Sequence, residues 1–110
     1  MNKVEERGLF PGALEMMILR TLRREPLHGY AIARSIRENS EELLRVEEGS
    51  LYPALQRMLK SRWIEGEWVV SAQNRRVKQY RLTAAGRKQL ERESAQFDRM
   101  FSGILKVMKA

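Results

Sequence analysis

The hydrophobic spacing of this chain changes period twice, and those changes constrain its fold more than any other feature. Up to Arg62, apolar residues recur every three or four positions, the period of helices with one buried face. From Ile64 to Leu82 apolar and polar residues alternate, the period of strands with one covered face. After Thr83 the helical spacing returns and continues to the end. A chain of 110 residues holds one such arrangement and not two.

Punctuation divides the first part into three helices. Pro11 suits a first helical position, where no amide hydrogen is needed, so the first helix is expected from Pro11 to about Arg24. Leu14, Met17, Ile18, Thr21 and Leu22 form its inward face. Pro26 ends it, because the residue before proline resists helical geometry. A second helix is expected from His28 to about Asn39, with Ile32, Ala33 and Ile36 inward and Arg34, Arg37 and Glu38 facing water. Ser40 to Glu48 reads as a connector, with Leu43, Leu44 and Val46 available to the core. The third helix is expected from Ser50, as N-cap, to about Arg62, which puts Pro53 inside the first turn. Leu51, Leu55, Met58 and Leu59 form its inward stripe.

In the hairpin, Ile64, Trp68 and Val70 alternate with Glu65 and Glu67. The polar run Ser71 to Arg76 is the turn, and Lys78 to Leu82 returns, with Tyr80 and Leu82 on the face that meets Trp68. Trp68 reads as a core residue, with stacking on a base or ligand as the alternative. Thr83 caps a last helix from Ala84 to the end, whose first turn tolerates Gly86. Three helices followed by a β-ribbon make a winged helix-turn-helix. The fold class is therefore mostly α with a small β-hairpin. Residues 1–83 are expected to form this winged helix-turn-helix, an arrangement suited to DNA binding, and 84–110 a long C-terminal dimerisation helix.

Charge points to the partner. The chain carries a net +7, and from Val69 to Leu90 there is no carboxylate, while Arg75, Arg76, Lys78, Arg81, Arg87 and Lys88 all fall there. Segregated charge repels itself unless a polyanion compensates it, and a DNA backbone is the obvious one. A major groove about 12 Å wide admits one helix, and bases are read by polar side chains near its N-terminus. The outward face of the third helix offers Ser50, Tyr52, Pro53, Gln56, Arg57 and Lys60, with Gln suited to adenine and Arg to guanine. Lys60 reads equally well as a solvated side chain. Asn74, Arg75, Arg76 and Lys78 at the hairpin tip suit the phosphate backbone or the minor groove.

Other classes find little support. There is no cysteine, one histidine and no phosphate-cradling Gly-rich loop, so no enzyme, metal site or cofactor is expected. His28 reads as a turn residue before the second helix, with phosphate contact as the alternative, and Gly29 as a source of backbone freedom. Composition, 43% hydrophobic and 32% charged, is that of a soluble protein. Neither a membrane span nor a secretory signal is visible, and a cytoplasmic location is expected. The rival reading is a winged-helix protein–protein adapter without specific DNA readout.

At Leu27-His28-Gly29-Tyr30-Ala31-Ile32 and Glu48-Gly49-Ser50-Leu51-Tyr52-Pro53-Ala54-Leu55 the chain resembles the PadR family of bacterial regulators. Asn74-Arg75-Arg76 and Tyr80-Arg81-Leu82-Thr83-Ala84-Ala85-Gly86-Arg87 extend the resemblance over roughly residues 9 to 90. The short C-terminal region is similar to the subfamily with a single terminal helix. The resemblance implies a homodimeric repressor on an inverted-repeat operator, contacting double-stranded DNA through Ser50 to Lys60 and Asn74 to Lys78. It also implies, for some members, release by a phenolic or lipophilic effector held between the subunits. Two positions depart from the family pattern: Arg62 stands where glycine is frequent, and Ala13 where threonine is frequent. Without glycine a left-handed cap of the third helix is lost or costs about 1 kcal/mol.

The last helix also carries Leu90, Phe97, Met100, Phe101, Ile104, Leu105 and Met108 on one stripe. At 1.5 Å per residue it spans roughly 40 Å, more than so small a domain covers. A second copy is the expected cover, with Leu9 and Phe10 packing on the same seam.

Overall fold

The computed structural model describes residues 12–110, in the order α1 (Ala13–Arg24), β1 (Leu27–His28), α2 (Gly29–Asn39), α3 (Glu48–Lys60), β2 (Ile64–Val70), β3 (Arg76–Leu82) and α4 (Ala84–Lys109). The helix, helix, helix, hairpin, long helix order is the one expected. Pro11, Leu9 and Phe10 lie outside the described residues. The described part of the first helix begins after Gly12, whose φ of 85° is left-handed and which caps without a side-chain hydrogen bond.

Each of the first three helices contributes one stripe to a shared core. α1 buries Leu14, Ile18, Leu19 and Leu22, α2 buries Ile32 and Ile36, and α3 buries Leu51, Ala54, Leu55 and Met58. Full burial of side chains such as Ile18, Leu19 and Leu55 contributes about 1.5–3 kcal/mol each. The register on α1 differs from the expected one: Leu19 is fully buried, whereas Met17 and Thr21 are half-buried. In the connector, the Ser40 hydroxyl accepts from the Leu44 amide (3.0 Å) and donates to the Arg37 carbonyl (3.0 Å). Leu44 and Val46 pack on the core, but Leu43 is exposed, contrary to expectation.

α3 starts three residues earlier than expected, with Glu47 rather than Ser50 as N-cap. Pro53 is then the sixth helical residue, beyond the turn that needs no donors. The bond it cannot donate leaves the Gly49 carbonyl open to water, since Gly49 and Pro53 are both exposed. The far end of α3 keeps a left-handed cap without glycine. Arg62 has φ 61°, its amide donates to the Leu59 carbonyl (3.0 Å), and the Trp63 amide donates to the Met58 carbonyl (3.0 Å). That pair of bonds is a Schellman motif, built here at a position that favours glycine.

The sheet is antiparallel with strand order β1-β3-β2. β1 was not foreseen: Leu27 pairs with Tyr80 and His28 with Gln79, which fastens the start of α2 to the hairpin. The hairpin register pairs Ile64 with Leu82, Gly66 with Tyr80 and Trp68 with Lys78. Ile64 and Tyr80 close the core from below. Trp68, expected in the core, is instead 57% exposed, and Val70 is exposed as well. The inner face of the ribbon outruns the helices that cover it, so its alternation continues into water.

α4 begins under the Thr83 hydroxyl, which accepts from the Gly86 amide (3.0 Å) and donates to the Arg62 carbonyl (2.7 Å). Gly86 is more than tolerated: a Cβ there would run into the Trp63 carbonyl oxygen and Leu82 Cδ1. Leu90 is 4% exposed and belongs to the core of its own chain, where α4 packs against α1. It is therefore withdrawn from the expected interface between copies.

Candidate nucleic-acid interface

Because Leu51, Ala54, Leu55 and Met58 face inward, α3 turns Tyr52, Pro53, Gln56, Arg57 and Lys60 to the surface, with Ser50 half-buried. These residues do not form one patch. Tyr52 and Gln56 lie on the flank beside the hairpin. Arg57, five residues beyond Tyr52 at about 100° per residue, lies on the opposite flank. Its Nη2 donates to Glu15 Oε2 on α1 at 2.9 Å.

Tyr52 and Gln56 form one wall of an open cleft of about 820 Å³. The start of α2 forms a second wall with His28, Gly29 and Tyr30. The hairpin forms the third with Trp68, Gln73, Arg75, Lys78 and Tyr80 among others. The β1–β3 pairing holds these walls together. Gly29 has a steric reason for being glycine rather than the backbone freedom expected: a Cβ there would stand 2.8 Å from the Tyr52 hydroxyl. Tyr52 therefore seats directly over the first turn of α2. Burial, and secondarily Tyr52, push the Tyr80 phenol above its ordinary pKa. His28 Nδ1 accepts from the Ala31 amide at 3.3 Å and caps α2, as its turn reading expected.

The hairpin loop closes on itself. The Ser71 amide donates to the Arg75 carbonyl (2.7 Å), the Arg75 amide to Ser71 Oγ (3.2 Å), and Asn74 takes φ 58°. Asn74 thus serves the turn geometry, with its side chain exposed. Arg75 and Arg76 are exposed and Lys78 is half-buried. The Arg76 guanidinium lies 5.0 Å over the Trp68 ring, and Lys78 Nζ lies 5.9 Å from the Tyr80 ring centroid.

The basic stretch is less uniform in space than along the chain. Antiparallel register brings Glu65 opposite Arg81, and Arg81 Nη2 donates to Glu65 Oε1 at 2.7 Å, with Glu67 at 4.0 Å from Nη1. The Glu65 hydrogen bond raises the Arg81 pKa further. Arg81 is neutralised at the root of the hairpin, while Arg75, Arg76 and Lys78 near its tip have no carboxylate partner among the described residues.

The distal half of α4 presents a second surface. Phe101, Ile104, Leu105, Val107 and Met108 are exposed, Phe97 and Met100 are half-buried, and Phe97 stacks on Phe101 with centroids 5.9 Å apart. Phe97 and Met100 also line a hollow of about 140 Å³ against Gly12, Ala13 and Met16. Among the described residues, no helix is long and apolar enough to cross a membrane, and no three His, Cys, Asp or Glu side chains gather as metal ligands.

Comparison with known proteins gives a consistent picture. The model of the family described as "Transcriptional regulator PadR-like family" matches residues 18–92. A solved transcriptional regulator from Clostridium thermocellum is 27% identical, with 87% of this chain and 93% of that chain aligned at a TM-score of 0.80. A PadR-like transcriptional regulator from Bacillus cereus is 29% identical over 91% of this chain and 95% of that one, at a TM-score of 0.77. An uncharacterized protein of Lysinibacillus sphaericus is 29% identical over 76 residues, 69% of this chain and 70% of that protein.

Proposed function

The chain belongs to the PadR-like family of transcriptional regulators, and from that premise we propose that it is a homodimeric repressor reading an inverted-repeat operator. The wall of α3 bearing Tyr52 and Gln56 enters the major groove, and the hairpin tip follows the adjoining backbone. The observation that carries this reading is the cleft itself: an exposed polar helix face beside cations without carboxylate partners among the described residues. Those uncompensated charges favour a polyanion over the surface of a protein adapter. Arg57, tied to Glu15, is assigned to the edge of the interface rather than to base readout.

Dimerisation is proposed to run along α4. Residues 101–110 are exposed, and their apolar stripe needs a cover that the described residues do not supply. An isologous pairing would set two α3 helices one DNA turn apart, about 34–36 Å, and so demand a two-fold operator. A phenolic or lipophilic effector seated between paired α4 helices would be the means of release, and the site of action would be the cytoplasm.

Selection of bound sequences from random duplex DNA tests the reading, and enrichment of an inverted repeat is expected. Gln56→Ala should then cost about 1–3 kcal/mol on the selected duplex and much less on random duplex. Truncation after Glu93 should leave a monomer by sedimentation. No enrichment, or a dimeric and fully active truncated chain, would overturn the respective half of the proposal.

A further inference from the structure

Between α1, the end of α2 and the connector that leads to α3 lies a hollow of about 340 Å³. It shares no lining residue with the cleft beside α3, nor with the hollow where Phe97 and Met100 meet α1. Its size falls at the small end of ligand pockets, which run from about 300 to 1,000 Å³. Its floor is aliphatic. Met17 comes from α1, Ile36 from α2 and Leu44 from the connector, and all three belong to the core or pack on it. No aromatic ring among the described residues lines it.

The polar lining is of two kinds. Thr21 donates its hydroxyl to the Met17 carbonyl (2.7 Å), and Asn39 Nδ2 donates to Ser35 Oγ (3.0 Å). The Ser40 hydroxyl is committed to the Arg37 carbonyl and the Leu44 amide. These groups are already bonded within the chain. Arg20 and Arg24 are not. Both are exposed, and they stand at i and i+4 on α1, where like charges repel. Neither has a carboxylate partner among the described residues. Glu25 and Glu38 line an adjoining hollow together with Arg24, yet neither forms an ion pair with it. An anion between the two guanidiniums would relieve their repulsion and accept charge-assisted hydrogen bonds from both.

We infer that this hollow is a binding site for an aliphatic monocarboxylate of medium chain length. The chain lies over Met17, Ile36 and Leu44, and Arg20 and Arg24 hold the carboxylate. An alkyl chain suits the floor, which offers no ring on which a planar ligand could stack. The end of α4 from a second copy fits it poorly, because Lys106 and Lys109 in the last turn would meet Arg20 and Arg24. The site is complete within one chain, so it is distinct from an effector position between paired α4 helices, and it does not depend on the DNA reading. The ligand bridges α1 and both sides of the turn after α2, where Glu41 and Glu42 take φ of 55° and 69°. Its binding therefore favours the folded arrangement and raises the melting temperature.

The test is calorimetric titration of the full chain with octanoate, alongside melting curves. Saturable binding of one octanoate per chain is expected. The double variant Arg20→Gln, Arg24→Gln should lose about 10-fold or more in affinity, and octanol should bind the wild type about that much more weakly than octanoate. Octanol should bind the wild type and the double variant alike. The pair Phe101→Ser, Leu105→Ser on distal α4 should leave octanoate affinity unchanged. All four substituted side chains are exposed, and the melting curves verify that each variant folds. No saturable binding, or equal octanoate affinity in the wild type and the arginine variant, would overturn the inference. Loss of octanoate from the α4 variant alone would place the acid on the α4 stripe and overturn it as well. Tighter binding of benzoate than of octanoate would overturn the assigned ligand class.

Discussion

The two ends of the β2–β3 hairpin share strands, register and residue types, yet they serve opposite ends. At the root, Ile64 and Tyr80 are buried and Arg81 is bonded to Glu65. At the tip, Trp68 and Val70 on the same face are exposed, and Arg76 rests on the Trp68 ring. The root spends its apolar groups on the core and cancels its charge. The tip keeps both facing outward. The difference shows that alternation of apolar and polar residues tells which face of a ribbon is apolar, but not how far anything covers it.

Substitution can break this contrast on the stability side. Ile64→Ala at the root removes a fully buried side chain and should cost about 2–5 kcal/mol in denaturant unfolding. Trp68→Ala at the tip, although it deletes a larger side chain, should cost less than about 1 kcal/mol. Comparable losses would mean that the tip is packed in solution. Gly86→Ala should cost about 1–3 kcal/mol, because the added methyl meets the Trp63 carbonyl directly beneath the root. One further effect has the opposite sign. Arg62→Gly relieves a left-handed residue in the Schellman turn that leads into β2 and should raise stability by about 1 kcal/mol. A fall in melting temperature would show that the Arg62 side chain contributes more than its backbone strain costs.

Much of this was legible in the sequence, and the omissions have physical reasons. Helical spacing located all four helices, and Thr83 marked the start of the last, because each rests on contacts within a few residues. β1 has only two residues, too few for any period to register. The first turn of α3 was misplaced because Ser50 is a better capping residue by type than Glu47, and Pro53 argued for the later start. Of the site, the outward polar face of α3 and the basic hairpin tip could be read directly. The loss of Arg81 to Glu65 and of Arg57 to Glu15 could not, since those partners lie 16 and 42 residues away. Gly29 gave a signal in kind but not in cause, because the demand for its missing Cβ comes from Tyr52 on another helix. The ring-held cations were missed for the same reason at the hairpin. Tyr30 and Arg34, at i and i+4 on one helix, are a pair that the sequence spacing does show.

Salt-dependent binding of the selected duplex by Arg76→Gln and Arg81→Gln tests the central claim most directly. Both variants remove one guanidinium from β3, five residues apart, one resting on a ring and the other bonded to a carboxylate. The account predicts that Arg76→Gln flattens the slope of log affinity against log salt by about 0.9 and that Arg81→Gln leaves it at the wild-type value. A wild-type slope for Arg76→Gln, or an equal flattening by Arg81→Gln, would contradict it.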